Sequence, residues 1–146
     1  MVNERAIIKK FGIHIKVSDF NRSYQFYKNL GFEEEFAYGP QDFTEKFKGK
    51  IPTANEKYKG VTFNLNGSLF EIGEKHIAVK PKVFKEQIKS SKVSAMLHVD
   101  SLDEVLKQCK KHKIIIAVPP RKFPWGTKEL VVKDPDGFVL VFIEGA

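Results

Sequence analysis

Residues 125–144 read WGTKELVVKDPDGFVLVFIE, and this stretch decides the fold. Two runs rich in β-branched and aromatic side chains, Glu129–Lys133 and Phe138–Ile143, flank Asp134-Pro135-Asp136-Gly137. That pattern predicts a β-hairpin with a four-residue turn, in which Pro135 presets φ and Gly137 supplies the positive φ that closes it. A second hairpin is expected where Val61–Leu65 and Ser68–Ile72 flank Asn66-Gly67, the pair suited to a two-residue type I′ turn.

Outward from these hairpins, each is preceded by the same elements. Phe11–Val17 alternates, with Ile13, Ile15 and Val17 on one face and Gly12, His14 and Lys16 on the other, as in a half-buried strand. Ser18-Asp19 offers a helix start, Phe20, Ser23, Tyr24, Tyr27 and Leu30 recur at helical spacing, and Gly31 ends the helix. Phe32–Tyr38 resumes as a strand. In the second half Ser94–Val99 alternates, with Ser94, Met96 and His98 on the polar face. Ser101-Leu102-Asp103-Glu104 is a capping box, and Leu102, Val105, Leu106 and Cys109 form the buried stripe of the following helix. Cys109 is therefore read as a small core residue rather than a reactive thiol. Ile114–Val118 is the next strand.

The expected fold class is α+β: two tandem β-α-β-β-β modules forming a cupped mixed sheet with helices on the convex face. All of it is taken as one domain, 1–146, with module one about 8–73, a linker about 74–92 and module two about 93–146. The linker carries a short helix candidate beginning at Pro81. The first module differs by a long polar connection, 39–59, of the kind that forms functional lids or stays disordered.

Composition narrows the function. No run approaches the roughly 18 apolar residues of a membrane helix. Met1–Arg5 and the short apolar patch after it, broken by Lys9-Lys10, do not resemble a secretory signal. The single cysteine allows no internal disulfide, and a cytoplasmic location is expected. The formal charge is +7, but 22 of the 25 basic residues are lysines spread along the chain. Clustered arginine and stacking aromatics are missing, so neither nucleic acid nor membrane is an expected partner, while anionic ligands are mildly favoured.

His14–Glu33, the duplicated plan, and Trp125-Gly126 leading into Asp134–Gly137 resemble the vicinal oxygen chelate superfamily, which includes glyoxalase I, fosfomycin-resistance enzymes, extradiol dioxygenases and bleomycin-resistance proteins. The resemblance implies that metal-dependent members place ligands where this chain has Gly12, Glu71, Ser94 and Val141. Of these only Glu71 is a competent metal ligand. His14 and His98 share the strand face of Gly12 and Ser94 but lie two and four residues further along, about 7 and 13 Å at strand rise. Glu144 has the opposite parity to Val141.

Loss of the metal positions makes the metal-free bleomycin-resistance-like branch the nearest resemblance, which implies a homodimer that holds a ligand without a cofactor. Bleomycin is cationic, and the +7 charge argues against it as the ligand. The candidate ligand-binding residues are His14, Lys16, Thr62, Asn64, Glu71, Met96, His98, Trp125, Lys128 and Val141. Trp125 offers a flat face for stacking, and Lys16 and Lys128 offer charge for a carboxylate or phosphate. Two readings remain open: a metal-independent protein that sequesters or carries a small anionic or aromatic molecule, and a lyase, isomerase or oxygenase with an unorthodox site of His14, Glu71 and His98. In the second, a histidine with Glu71 would supply general acid and base.

Overall fold

In a computed structural model, residues 7–76 and 78–145 are described; Met1–Arg5, where no secretory signal is expected, lie outside them. In chain order the elements are β1 (Gly12–Lys16), α1 (Phe20–Asn29), β2 (Glu33–Gly39), α2 (Gln41–Thr44), β3 (Thr53–Asn55), β4 (Gly60–Leu65), β5 (Ser68–Gly73), α3 (Pro81–Phe84), β6 (Ser94–Val99), α4 (Leu102–Lys111), β7 (Ile116–Lys122), β8 (Thr127–Lys133) and β9 (Val139–Gly145). The fold is α+β with two sheets of mixed direction.

The sheets repeat one topology. The first runs β1-β5-β4-β2-β3 and the second β6-β9-β8-β7. In each, the opening strand lies parallel to the last strand of its half, β1 on β5 and β6 on β9, and the hairpins β4/β5 and β8/β9 are antiparallel. Asn66 and Gly67 both have positive φ, 53° and 98°, as a type I′ turn requires. Contacts divide the chain into two compact units. One holds the chain up to Phe20 together with Phe32–Phe84, and the other holds Asn21–Gly31 together with the chain from Lys85 onward.

In the first unit Val61, Phe63, Phe70 and Ile72 are buried, and Phe32 stands edge-on to Phe63 and Phe70 at 5.6 and 5.4 Å. Alternation along the strands then puts Thr62 and Glu71 on the opposite face. The long connection 39–59 is ordered: α2, a 3-10 turn at Glu45–Phe47, and β3, which pairs with β2 as a fifth strand. Phe43 and Phe47 explain why, because both are buried and Phe43 packs edge-on against Phe20 at 5.2 Å. Two aromatic anchors outweigh the polar composition that suggested a lid or disorder.

In the second unit Leu102, Val105 and Cys109 bury one stripe of α4, while Leu130, Val132, Leu140 and Phe142 form the apolar face of the sheet. Burial pushes the Cys109 thiol up, away from the thiolate. The last turn closes around Asp134, whose Oδ1 accepts from the backbone N–H of Asp136 and Phe138 at 2.9 and 2.8 Å. Its Oδ2 accepts from the buried Tyr27 hydroxyl of α1 at 2.7 Å. β7 begins later than the sequence suggests and extends through Pro119-Pro120, which an edge strand tolerates because half its N–H groups need no partner in the sheet.

The capping box at Ser101 does not form. Ser101 makes no side-chain cap bond, and Glu104 pairs instead with Lys107 at 3.4 Å on the exposed side of α4. The helix amide of Leu102 donates to Glu144 Oε1 at 2.8 Å, so a carboxylate from β9 takes the capping role and also sits favourably at the helix N-terminus. We expect Glu144→Ala to cost about 1 kcal/mol of unfolding free energy and Ser101→Ala to cost less than about half of that. Urea denaturation of the two variants makes the comparison.

Candidate functional site

On the first sheet, strand register brings a polar cluster together around Glu71. β5 places Glu71 opposite His14 of β1 on one side and Thr62 of β4 on the other. Thr62 Oγ1 donates to Glu71 Oε1 at 3.3 Å, and the Tyr38 hydroxyl donates to Oε2 at 2.7 Å. Tyr38 reaches across from β2 because its register partner is Gly60: a Cβ there would lie 1.9 Å from Tyr38 Cζ, so the ring occupies the space a side chain would take. His14 Nε2 lies 3.3 Å from the same Oε2, yet it is buried and makes no hydrogen bond. His76 stands edge-on to His14 with ring centroids 5.0 Å apart, and its Nδ1 accepts the Ala78 N–H at 3.0 Å.

The electrostatics follow from this half-buried setting. Burial, then the bond to Glu71, raises the Tyr38 phenol far above its ordinary value, so it remains a donor. Burial lowers His14 below 6.5 despite the opposing pull of Glu71. A depressed folded-state value means that the unfolded chain binds the proton more readily. The contribution of His14 to stability is therefore present above 6.5 and lost as pH falls through the lower folded value. Stability should fall more steeply for the wild type than for His14→Gln between about pH 7 and about pH 5. Denaturant unfolding across that window measures the difference.

The other candidate residues have separate fates. Lys16 Nζ folds back to donate to the His14 carbonyl at 3.0 Å. Asn64 is committed at both ends, donating to Glu35 at 2.9 Å and accepting the Gly67 N–H at 2.7 Å. In the second unit Met96 is in register with Val141 and His98 with Ile143; Met96 and His98 are exposed and Val141 half-buried. Trp125 is exposed and stacks on Phe123 at 4.7 Å, so one face of the indole is already covered. Lys128 lies opposite Lys122 and Glu144 beside a cavity of about 420 Å³.

Sequence reasoning did not find Tyr38 or His76. The signal for Tyr38 was the glycine at position 60, which leaves room for a ring only once β2 and β4 are known to pair. His76 lies in the linker just beyond β5, where no strand parity assigns it a face.

The repeated topology and a carboxylate-centred polar cluster on one sheet define a paired-module α+β protein of the kind that builds small-molecule sites on its strands. The chain belongs to the Glyoxalase/Bleomycin resistance protein/Dioxygenase superfamily, whose family model matches residues 11–142. No curated protein sequence matches it. Among solved structures it is similar to a variant of the genomically encoded fosfomycin resistance protein FosX from Listeria monocytogenes, complexed with Mn(II) and dihydroxypropylphosphonic acid. That pair shares 18% identity over 97% of this chain and 95% of the other, at a TM-score of 0.66. A superfamily member from Sphaerobacter thermophilus is 23% identical over 94% of this chain and 98% of its own, TM-score 0.63. A glyoxalase I variant from Zea mays is 15% identical over 94% of this chain and 46% of its own, TM-score 0.68.

The Mn(II) of the FosX complex is not matched by the donor set here. Gly12 and Val141 offer no ligating atom, Glu71 already accepts from two hydroxyls, and the Nδ1 of His76 is occupied. Among the described residues no group of three or more His, Cys, Asp or Glu side chains is arranged to hold a metal ion.

Proposed function

We propose that this chain is a metal-independent small-molecule-binding protein, a cytoplasmic homodimer that sequesters or carries a small anionic or aromatic ligand. The observation that carries this reading is His14 Nε2, a buried polar atom without a partner beside a carboxylate that accepts from Tyr38 and Thr62. Buried polar atoms are rarely left unpaired, and a ligand group that bonds this nitrogen removes the deficit. The edges and faces of His14, His76 and Tyr38 supply flat apolar surface for the rest of an aromatic ligand. The net charge of +7 favours the approach of an anion. We also assign ligand contacts to Met96, His98, Trp125, Lys128 and Val141 of the second unit.

A second reading, an enzyme of the same superfamily, is favoured by the 3.3 Å approach of His14 Nε2 to Glu71 Oε2. An imidazole beside a carboxylate is a proton-transfer pair. The test is the metal content of protein purified without a chelator or polyhistidine tag, followed by a thermal-shift screen of aromatic acids. Absence of metal, no stabilisation by added zinc, nickel, manganese or iron, and an acid that stabilises the wild type but not His14→Ala support the binding protein. A divalent ion near one per subunit that is lost in His14→Ala or His98→Ala overturns it.

A further inference from the structure

The second sheet is apolar on both faces. β9 begins Val139-Leu140-Val141-Phe142-Ile143, a continuous apolar run of the kind found in strands covered on both sides; a sheet with one wet face alternates apolar and polar residues instead. Leu130, Val132, Leu140 and Phe142 are buried on one face, and α4 packs against β8 and β9. Val131, Val139 and Val141 belong to the other face, where they are only half-buried.

Strand register turns that second face into a strip. Met96 of β6 lies opposite Val141 of β9, Val141 opposite Val131 of β8, and Val131 opposite Val118 of β7. Residues directly opposite share a face, so one apolar row crosses all four strands. Its ends are open, with Met96 70% and Val118 45% exposed. Polar residues border it, Ser94 and Lys133 in the row through Val139, His98 and Glu129 in the row through Ile143. The fold itself does not demand an apolar row, because the first sheet carries His14, Glu71 and Thr62 side by side in its own register.

Size and chemistry decide what covers the strip. Three strand spacings make it about 14 Å long, and the two-residue step between rows makes it about 7 Å wide. Roughly 100 Å² results, far below the 800 Å² or so that each partner brings to a stable dimer. Three of its four side chains are β-branched valines, which give a stiff and flat floor. Met96 at the end is a flexible thioether, and its sulfur is favourable against an aromatic ring. A rigid planar molecule covers such a floor with no torsional freedom to lose.

We propose that Met96, Val141, Val131 and Val118 seat a planar aromatic ligand of two or three fused rings lying across the strands. This rests on the binding-protein reading and narrows it, from an anionic or aromatic ligand to one whose ring system supplies the contact in the second unit.

The probe is the neutral fluorophore N-phenyl-1-naphthylamine, titrated against the full chain and displaced with 2-naphthol or with its saturated counterpart, decahydro-2-naphthol. The planar alcohol should displace it at about one-tenth the concentration of the puckered one. Val131→Thr/Val141→Thr should weaken 2-naphthol about tenfold and Met96→Ala about threefold. Circular dichroism checks that the variants remain folded, and Met96→Ala alters an exposed side chain that the fold does not need. Equal displacement by the two alcohols overturns the proposal. So does unchanged 2-naphthol binding in folded strip variants, or loss of binding in His14→Ala alone; both leave the binding-protein reading standing. That reading fails separately, on a divalent ion near one per subunit. A dimer in sedimentation that Val141→Asp splits into monomers also overturns the proposal, because a second copy would then cover the strip.

Discussion

Asp134→Ala should be strongly destabilising, lowering the unfolding free energy by about 3–5 kcal/mol. One carboxylate closes the β8/β9 turn through two backbone amides and ties it to α1 through Tyr27, so its removal takes away three buried hydrogen bonds at once. Each hydrogen bond to a charged group is worth about 1.5–3 kcal/mol, and three bonds to one group add less than their sum. Tyr27→Phe removes one bond of the three and should cost about 1.5–3 kcal/mol. Asp134→Asn should cost less than Asp134→Ala. Burial raises the Asp134 carboxyl above 3.8, so the charge itself is disfavoured there, and asparagine keeps an acceptor for the turn amides without that charge. Chemical denaturation of the three variants orders them, and a cost for Asp134→Ala below that of Tyr27→Phe would contradict this account.

Gly60→Ala should have the largest effect on the polar cluster. A methyl group at position 60 would stand 1.9 Å from Tyr38 Cζ and 2.2 Å from the phenolic oxygen, so the ring must leave its place. Overpacking of this kind costs about 1–3 kcal/mol, and the displaced phenol no longer donates to Glu71 Oε2. The effect depends on one neighbour, which makes it separable. In a Tyr38→Ala background the Gly60→Ala penalty should fall below about 0.5 kcal/mol. A double-mutant cycle in urea measures the coupling. If the penalty persists without the Tyr38 side chain, its origin lies in the β4 backbone and not in the ring.

The strands other than β3, both hairpins and the two main helices were legible because their signals are local. Alternation at period two, a helical stripe ending at a glycine, and turn residues at fixed places act over a few residues and do not depend on what packs against them. Repetition of the same order twice implied two like modules, and the structure adds the pairing of β1 on β5 and β6 on β9. The His14, Thr62 and Glu71 grouping was legible on similar grounds, since strand parity puts all three on one face.

What the tertiary structure alone decided are choices between partners distant in sequence. Ser101 and Glu104 satisfy a local capping rule, yet Glu144, brought alongside by the β6/β9 pairing, supplies the cap. Polar composition predicted a lid or disorder for 39–59, and buried Phe43 and Phe47 made it part of the first sheet's unit. Lys16 and Asn64 have the right residue types for a ligand site, and the fold also gives them partners within the chain, the His14 carbonyl for Lys16 and Glu35 and Gly67 for Asn64. Tyr38 and His76 enter the cluster through a glycine gap and a linker turn that no periodicity marks. A sequence determines which bonds each segment is able to make; which of them it does make depends on the competition set up when strands far apart in the chain lie side by side.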